Sequence, residues 1–133
     1  MKVDISITRT FTAEHSLPDG GMTEPHEHEY EVTCGYSADI DPAVGRGKPV
    51  QELGAQVDAV VGKLDGQMLN RLLCVPPTAE MLACWILAQL GAQWEWACVR
   101  AYDGYTCRVR RADLGLLLER LRSAPDGGTE RGL

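Results

Sequence analysis

Two runs of strict alternation dominate the first forty residues. Val3, Ile5, Ile7, Phe11, Ala13 and His15 share one parity, and Asp4, Ser6, Thr8, Thr10 and Thr12 share the other. Farther on, His26, His28, Tyr30, Val32, Cys34, Tyr36, Ala38 and Ile40 alternate with Glu27, Glu29, Glu31, Thr33, Ser37 and Asp39. Successive side chains on a strand point to opposite faces, so each run reads as a half-buried strand with one apolar face. Arg9 breaks the apolar parity of the first run. The intervening segment 16–25, SLPDGGMTEP, is turn chemistry. Two such runs joined by a turn form an antiparallel pair.

A change of period follows. Val50, Leu53, Val57, Val60, Val61 and Leu64 recur at helical spacing and form an apolar stripe. Gly54 and Gly62 weaken that helix by roughly 1 kcal/mol each relative to Ala. Thr78 can cap a second helix, with Glu80 favourably placed in its first turn. Leu82, Trp85, Ile86 and Leu90 form its stripe, and Gly91 can end it. Residues 97–111 read as two more strands about a turn at Asp103-Gly104. A short helix is expected near 112–122 and a disordered tail over 123–133. The order is that of an α+β domain, a four-stranded antiparallel sheet (ββααββ) with two helices on one face plus a short C-terminal helix.

Composition removes several classes of function. A chain of 133 residues fits one domain, here 1–122. The net charge of −6 argues against a nucleic-acid partner, which needs clustered Lys and Arg. No apolar run approaches the ~20 residues of a membrane span, and the first residues lack the apolar core of a signal peptide, so a cytoplasmic location is expected. The five cysteines are odd in number and never spaced Cys-x-x-Cys. They fit neither a disulfide framework nor a thiolate zinc knuckle, and read as reduced, mostly buried thiols.

The three histidines are the most chemically informative residues. All lie between positions 15 and 28. His26 and His28 project from the same strand face. His15 ends the preceding strand on its core-facing parity. Three imidazoles suit zinc and leave a fourth position for water or substrate. A structural zinc would want a fourth protein ligand, and none is obvious. The alternative is one or two hydrogen-bonded core histidines and one exposed.

Phe11-Thr12-Ala13-Glu14-His15, His26-Glu27-His28, Leu64-Asp65-Gly66-Gln67-Met68-Leu69-Asn70 and Pro77-Thr78-Ala79-Glu80-Met81-Leu82-Ala83 stand in the order found in a known family. The set resembles the family of 6-pyruvoyl-tetrahydropterin synthase and 6-carboxytetrahydropterin synthase. The resemblance implies the tunnelling fold, with zinc held by His15, His26 and His28. It also implies a homotrimer or homohexamer whose sheets join into a barrel, with small-molecule sites between subunits. Thr78, Glu80 and Asp103 would then bind substrate, Ala101 being the other residue that could occupy the family's pterin-anchoring Glu position. The Thr-rich and acidic strand faces would line the barrel, or else are a plain solvated surface.

Departures from the family pattern bear directly on chemistry. Met22 stands where the family has its catalytic cysteine. Gly66 stands where it has its catalytic histidine, and Glu27 replaces the Gly of His-Gly-His. Of the usual proton-transfer triad only Asp65 remains. The resemblance leaves Glu24, just before the histidine pair, as the favoured replacement proton carrier. Glu27 ranks lower because its parity turns it to the opposite face. Three readings follow: a zinc-dependent lyase or cyclase with altered chemistry in specialised metabolism, a pterin synthase working through Glu24, or a non-catalytic relative.

Overall fold

The computed structural model describes residues 1–17 and 22–122. The centre of the first turn and the expected tail, 123–133, lie outside them. The alternating runs become β1 (Lys2–Leu17) and β2 (Met22–Asp39). They pair antiparallel, with Phe11 opposite Tyr30 and His15 opposite His26. Strand pairing reaches into the expected 16–25 turn as far as Leu17 and Met22, after a register shift next to His15. That irregularity places extra residues on β2 just before the histidines.

The chain then forms α1 (Val50–Leu64), a four-residue α2 (Leu69–Leu72) and α3 (Ala79–Gln89). β3 (Trp96–Arg100) and β4 (Thr106–Arg110) follow, then α4 (Leu117–Arg122). The sheet order is β1-β2-β3-β4, antiparallel throughout. The α+β architecture is the expected one, with the helices on the apolar face. Phe11, Tyr30 and Val32 from the sheet meet Leu53, Val57, Leu82, Ile86 and Trp94 in one core. Among the described residues, no helix is long and apolar enough to cross a membrane.

Two local expectations are corrected, and one short element is added. Val50 starts α1 but is 69% exposed, so the buried stripe begins at Leu53, which is 2% exposed. The helix expected over 112–122 is split. A single 3-10 turn at Arg111–Asp113 precedes Gly115, whose φ of 55° breaks the helix before α4 begins. α2 had no signal, since four residues cannot display a helical period.

Two anomalies of the sequence explain each other. Arg9, on the apolar parity, reaches across α1 and bonds Asp58 at 2.6 Å. A Cβ on Gly54 would come within 2.7 Å of the Arg9 guanidinium, so the glycine leaves room for that crossing.

The segment after α1 closes the outer edge of β1 near its histidine. Asp65 Oδ1 accepts from Thr12 N–H at 3.0 Å, and Gly66 N–H donates to the Thr12 carbonyl at 2.7 Å. Glu14 N–H donates to the Gln67 carbonyl, and the Asn70 amide both accepts from Ser16 N–H and donates to its carbonyl. An edge strand's unpaired backbone groups are thereby satisfied along residues 12–16.

Candidate metal centre and adjoining cleft

β1 and β2 bring the three imidazoles together. His15 lies opposite His26, and Ala13 lies opposite His28. The ring centroids are 4.5 Å apart for His15–His26, 5.0 Å for His15–His28 and 4.6 Å for His26–His28. One nitrogen from each ring lies within 4.8 Å of the others. His15 is only 2% exposed, so each of its ring nitrogens needs a partner.

Hydrogen bonding fixes which nitrogens converge. His15 Nδ1 faces the Pro77 carbonyl at 2.8 Å, and His26 Nδ1 faces the Glu24 carbonyl at 3.0 Å. Each Nδ1 therefore carries the proton and donates it, leaving Nε2 with a free lone pair. The Nε2 atoms of His15, His26 and His28 are all buried and without a hydrogen-bond partner. Burial holds the His15 imidazole below its ordinary value, against the opposing pull of the Pro77 carbonyl, and neighbouring His26 adds to the lowering. Burial lowers His28 too, with His15 and His26 contributing. Both shifts favour the neutral ring. Three imidazoles with orphaned, converging nitrogens fit a divalent metal with an open coordination position.

Beside the cluster lies a cleft of about 220 Å³, bounded by His15, Leu17, Tyr30, Thr78, Ala79, Glu80, Ala101, Tyr102 and Tyr105. Tyr30 closes its inner side. Its ring stacks on Phe11 at 5.2 Å, and burial, with a contribution from Tyr102, raises its hydroxyl to about 12. Thr78 caps α3 as expected, its hydroxyl accepting from Met81 N–H at 3.1 Å. The Glu80 carboxylate accepts from the Tyr105 hydroxyl. That bond, then the residue's own backbone N–H, holds Glu80 below the ordinary carboxylate range, and the Thr78 hydroxyl adds a smaller pull against desolvation.

The remaining sequence-derived candidates are placed as follows. Glu24 is exposed on β2, its carbonyl holding His26. Glu27 is exposed opposite Glu14, on the face away from the histidines. The Asp65 carboxylate is engaged with Thr12 N–H. Asp103 sits in the turn between β3 and β4 and does not line the cleft, whereas Ala101 does. Tyr102 and Tyr105 line the cleft without a sequence motif of their own. Their only signal is their position on either side of Asp103-Gly104, a turn with both φ values positive, at 57° and 72°.

No cysteine replaces the missing thiol at the cleft. Cys107 donates to the Val99 carbonyl and is raised to about 11, chiefly by burial. Cys74 points to the Arg120 carbonyl of α4. Among the described residues all five cysteines are free.

A four-stranded antiparallel sheet, helices on one face, and three imidazoles converging at one end define a tunnelling-fold protein. A sequence model of the family described as 6-pyruvoyl tetrahydropterin synthase matches residues 4–110. The chain belongs to that family. It is similar in structure to the 6-pyruvoyl tetrahydropterin synthase of Caenorhabditis elegans, with a TM-score of 0.71 at 14% identity, over 83% of this chain and 96% of that one. The Plasmodium falciparum enzyme of the same name gives 0.65 at 14% identity, over 83% and 98%. An uncharacterised protein from Wolinella succinogenes gives 0.61 at 12% identity, over 84% and 99%. No curated protein matches by sequence.

Proposed function

We propose that this chain is a zinc-dependent carbon–oxygen lyase or cyclase of the pterin synthase type, with altered chemistry on a small-molecule substrate. The observation that carries the reading is the set of three buried, partnerless Nε2 atoms beside a cleft. His15, His26 and His28 would hold the ion. When bound there, zinc polarises a substrate oxygen or acidifies a bound hydroxyl.

The chain's own residues account for the rest. Pro77 and Glu24 carbonyls keep two imidazoles in the metal-binding tautomer. Thr78 and Glu80 face the substrate from the start of α3. Ala101 in the cleft wall supplies no carboxylate to grip an aminopyrimidinone edge, which separates this cleft from a standard pterin site. Met22 and Gly66 can move no proton, so Glu24 is assigned as proton carrier. Asp65 assists by position, pinning β1 three residues before His15. Positioned acid–base groups supply ~10²–10⁴-fold each. Their loss from the usual places argues for a different reaction.

A pterin synthase working through Glu24 is the second reading, favoured by the family match and by Thr78 and Glu80 in the cleft wall. Incubation with dihydroneopterin triphosphate separates the two. Negligible turnover is expected; efficient turnover, abolished in Glu24→Gln, establishes the second reading instead. A homotrimer or homohexamer is part of the proposal, because β1 and β4 are edge strands of an open sheet. Native mass spectrometry of the assembly would identify a small molecule carried through purification. Its absence, together with zinc removal that changes only assembly stability, would establish a non-catalytic role.

A further inference from the structure

Metal-ligating imidazoles are held in place by a partner on the side away from the ion, and loss of that partner weakens binding. His15 has the Pro77 carbonyl and His26 has the Glu24 carbonyl. His28 has no hydrogen-bond partner on either ring nitrogen among the described residues. What it has is Tyr102. The two rings lie 4.3 Å apart between centroids and 23° from parallel, a close stack. Its other aromatic neighbours, His15, His26 and Tyr30, all meet it edge-on.

Tyr102 is itself held. It opens the turn between β3 and β4, where Tyr105 N–H returns to the Tyr102 carbonyl at 3.1 Å. Ala101 N–H donates to the Tyr105 carbonyl at 2.8 Å, closing the base of the turn. The Tyr105 hydroxyl then ties the turn to Glu80 in the first turn of α3. A flat ring is thus fixed over His28 by a turn anchored at both ends.

We propose that Tyr102 is the positioning residue for His28, fixing by ring stacking what the Pro77 and Glu24 carbonyls fix for the other two histidines, and that the Tyr105–Glu80 bond holds it there. The inference rests on the metal-binding reading above. It extends the centre to the turn between β3 and β4.

The test is zinc affinity of the full chain, by competition with a chromophoric chelator, beside the visible spectrum of the cobalt-loaded protein. Tyr102→Ala is expected to weaken zinc binding about ten-fold and to alter the cobalt spectrum. Tyr102→Leu, which keeps bulk without a flat ring, is expected to do the same. Tyr102→Phe keeps the stack and retains wild-type affinity and spectrum. Tyr105→Phe is expected to give a smaller loss in the same direction. The thermal midpoint of metal-free protein stays unchanged in all four, since Tyr102 is 42% and Tyr105 49% exposed. Wild-type affinity and spectrum in Tyr102→Ala and Tyr102→Leu would overturn the inference, as would equal losses in Tyr102→Phe and Tyr102→Ala. A wild-type chain that binds no zinc would overturn the metal-binding reading itself.

Discussion

Asp65 accepts a hydrogen bond from Thr12 N–H at 3.0 Å, so a carboxylate at the end of α1 occupies the edge of the strand that carries His15. Asp65→Ala removes the acceptor and leaves a backbone donor to water. The expected loss is about 1 kcal/mol of stability, read from urea unfolding of metal-free protein. Asp65→Asn keeps an acceptor and should lose less. Wild-type stability in Asp65→Ala would show that the contact contributes nothing.

Two glycines of opposite setting should respond in opposite directions. Gly35 on β2 lies beneath the indole of its cross-strand partner Trp96, and a Cβ there would overlap the ring. Arg108 sits over the same indole at 4.1 Å. Gly35→Ala must displace this stack and should cost about 1–3 kcal/mol. Gly62, in α1, has no atom near its missing Cβ. Gly62→Ala should gain about 1 kcal/mol. Chemical denaturation checks both, and equal effects at the two sites would contradict the packing described.

The metal-free protein should lose stability as pH falls below about 6.5. His15 and His28 are both held below that value in the fold, mainly by burial. The unfolded chain takes up their protons first, so stability rises with pH across this window. It is fully present above the unfolded value and is lost progressively down to the folded ones. Thermal unfolding at about pH 7.5 and 5.5 measures it, and His15→Gln should flatten the profile. A metal-free wild type that gains stability on acidification would contradict the burial argument.

Strand alternation exposed both the sheet and the site, because a period of two assigns every residue to a face. His26, His28 and Tyr30 share a face in the sequence and in the fold. The apolar stripe of α1 was equally legible from Leu53 to Leu64. Contacts between residues distant in sequence were not. Arg9 breaks the alternation, and only its contacts with Asp58 and the room left at Gly54, both distant in sequence, explain it. Asp103 is the nearest acid in the sequence to the pterin-anchoring position, yet of the two Ala101 is the one that lines the cleft. Tyr102 and Tyr105 read as ordinary turn flanks, since nothing local shows that a turn will be laid against His28 and Glu80.

The central claim is that His15, His26 and His28 form one zinc site, and elemental analysis of protein purified without added metal tests it most directly. About one zinc per chain is expected in the wild type and in Glu24→Gln. Zinc should be lost in His26→Ala and in His28→Ala, with the helical and strand content of both variants preserved. Zinc absent from the wild type, or unchanged in both histidine variants, would contradict the account.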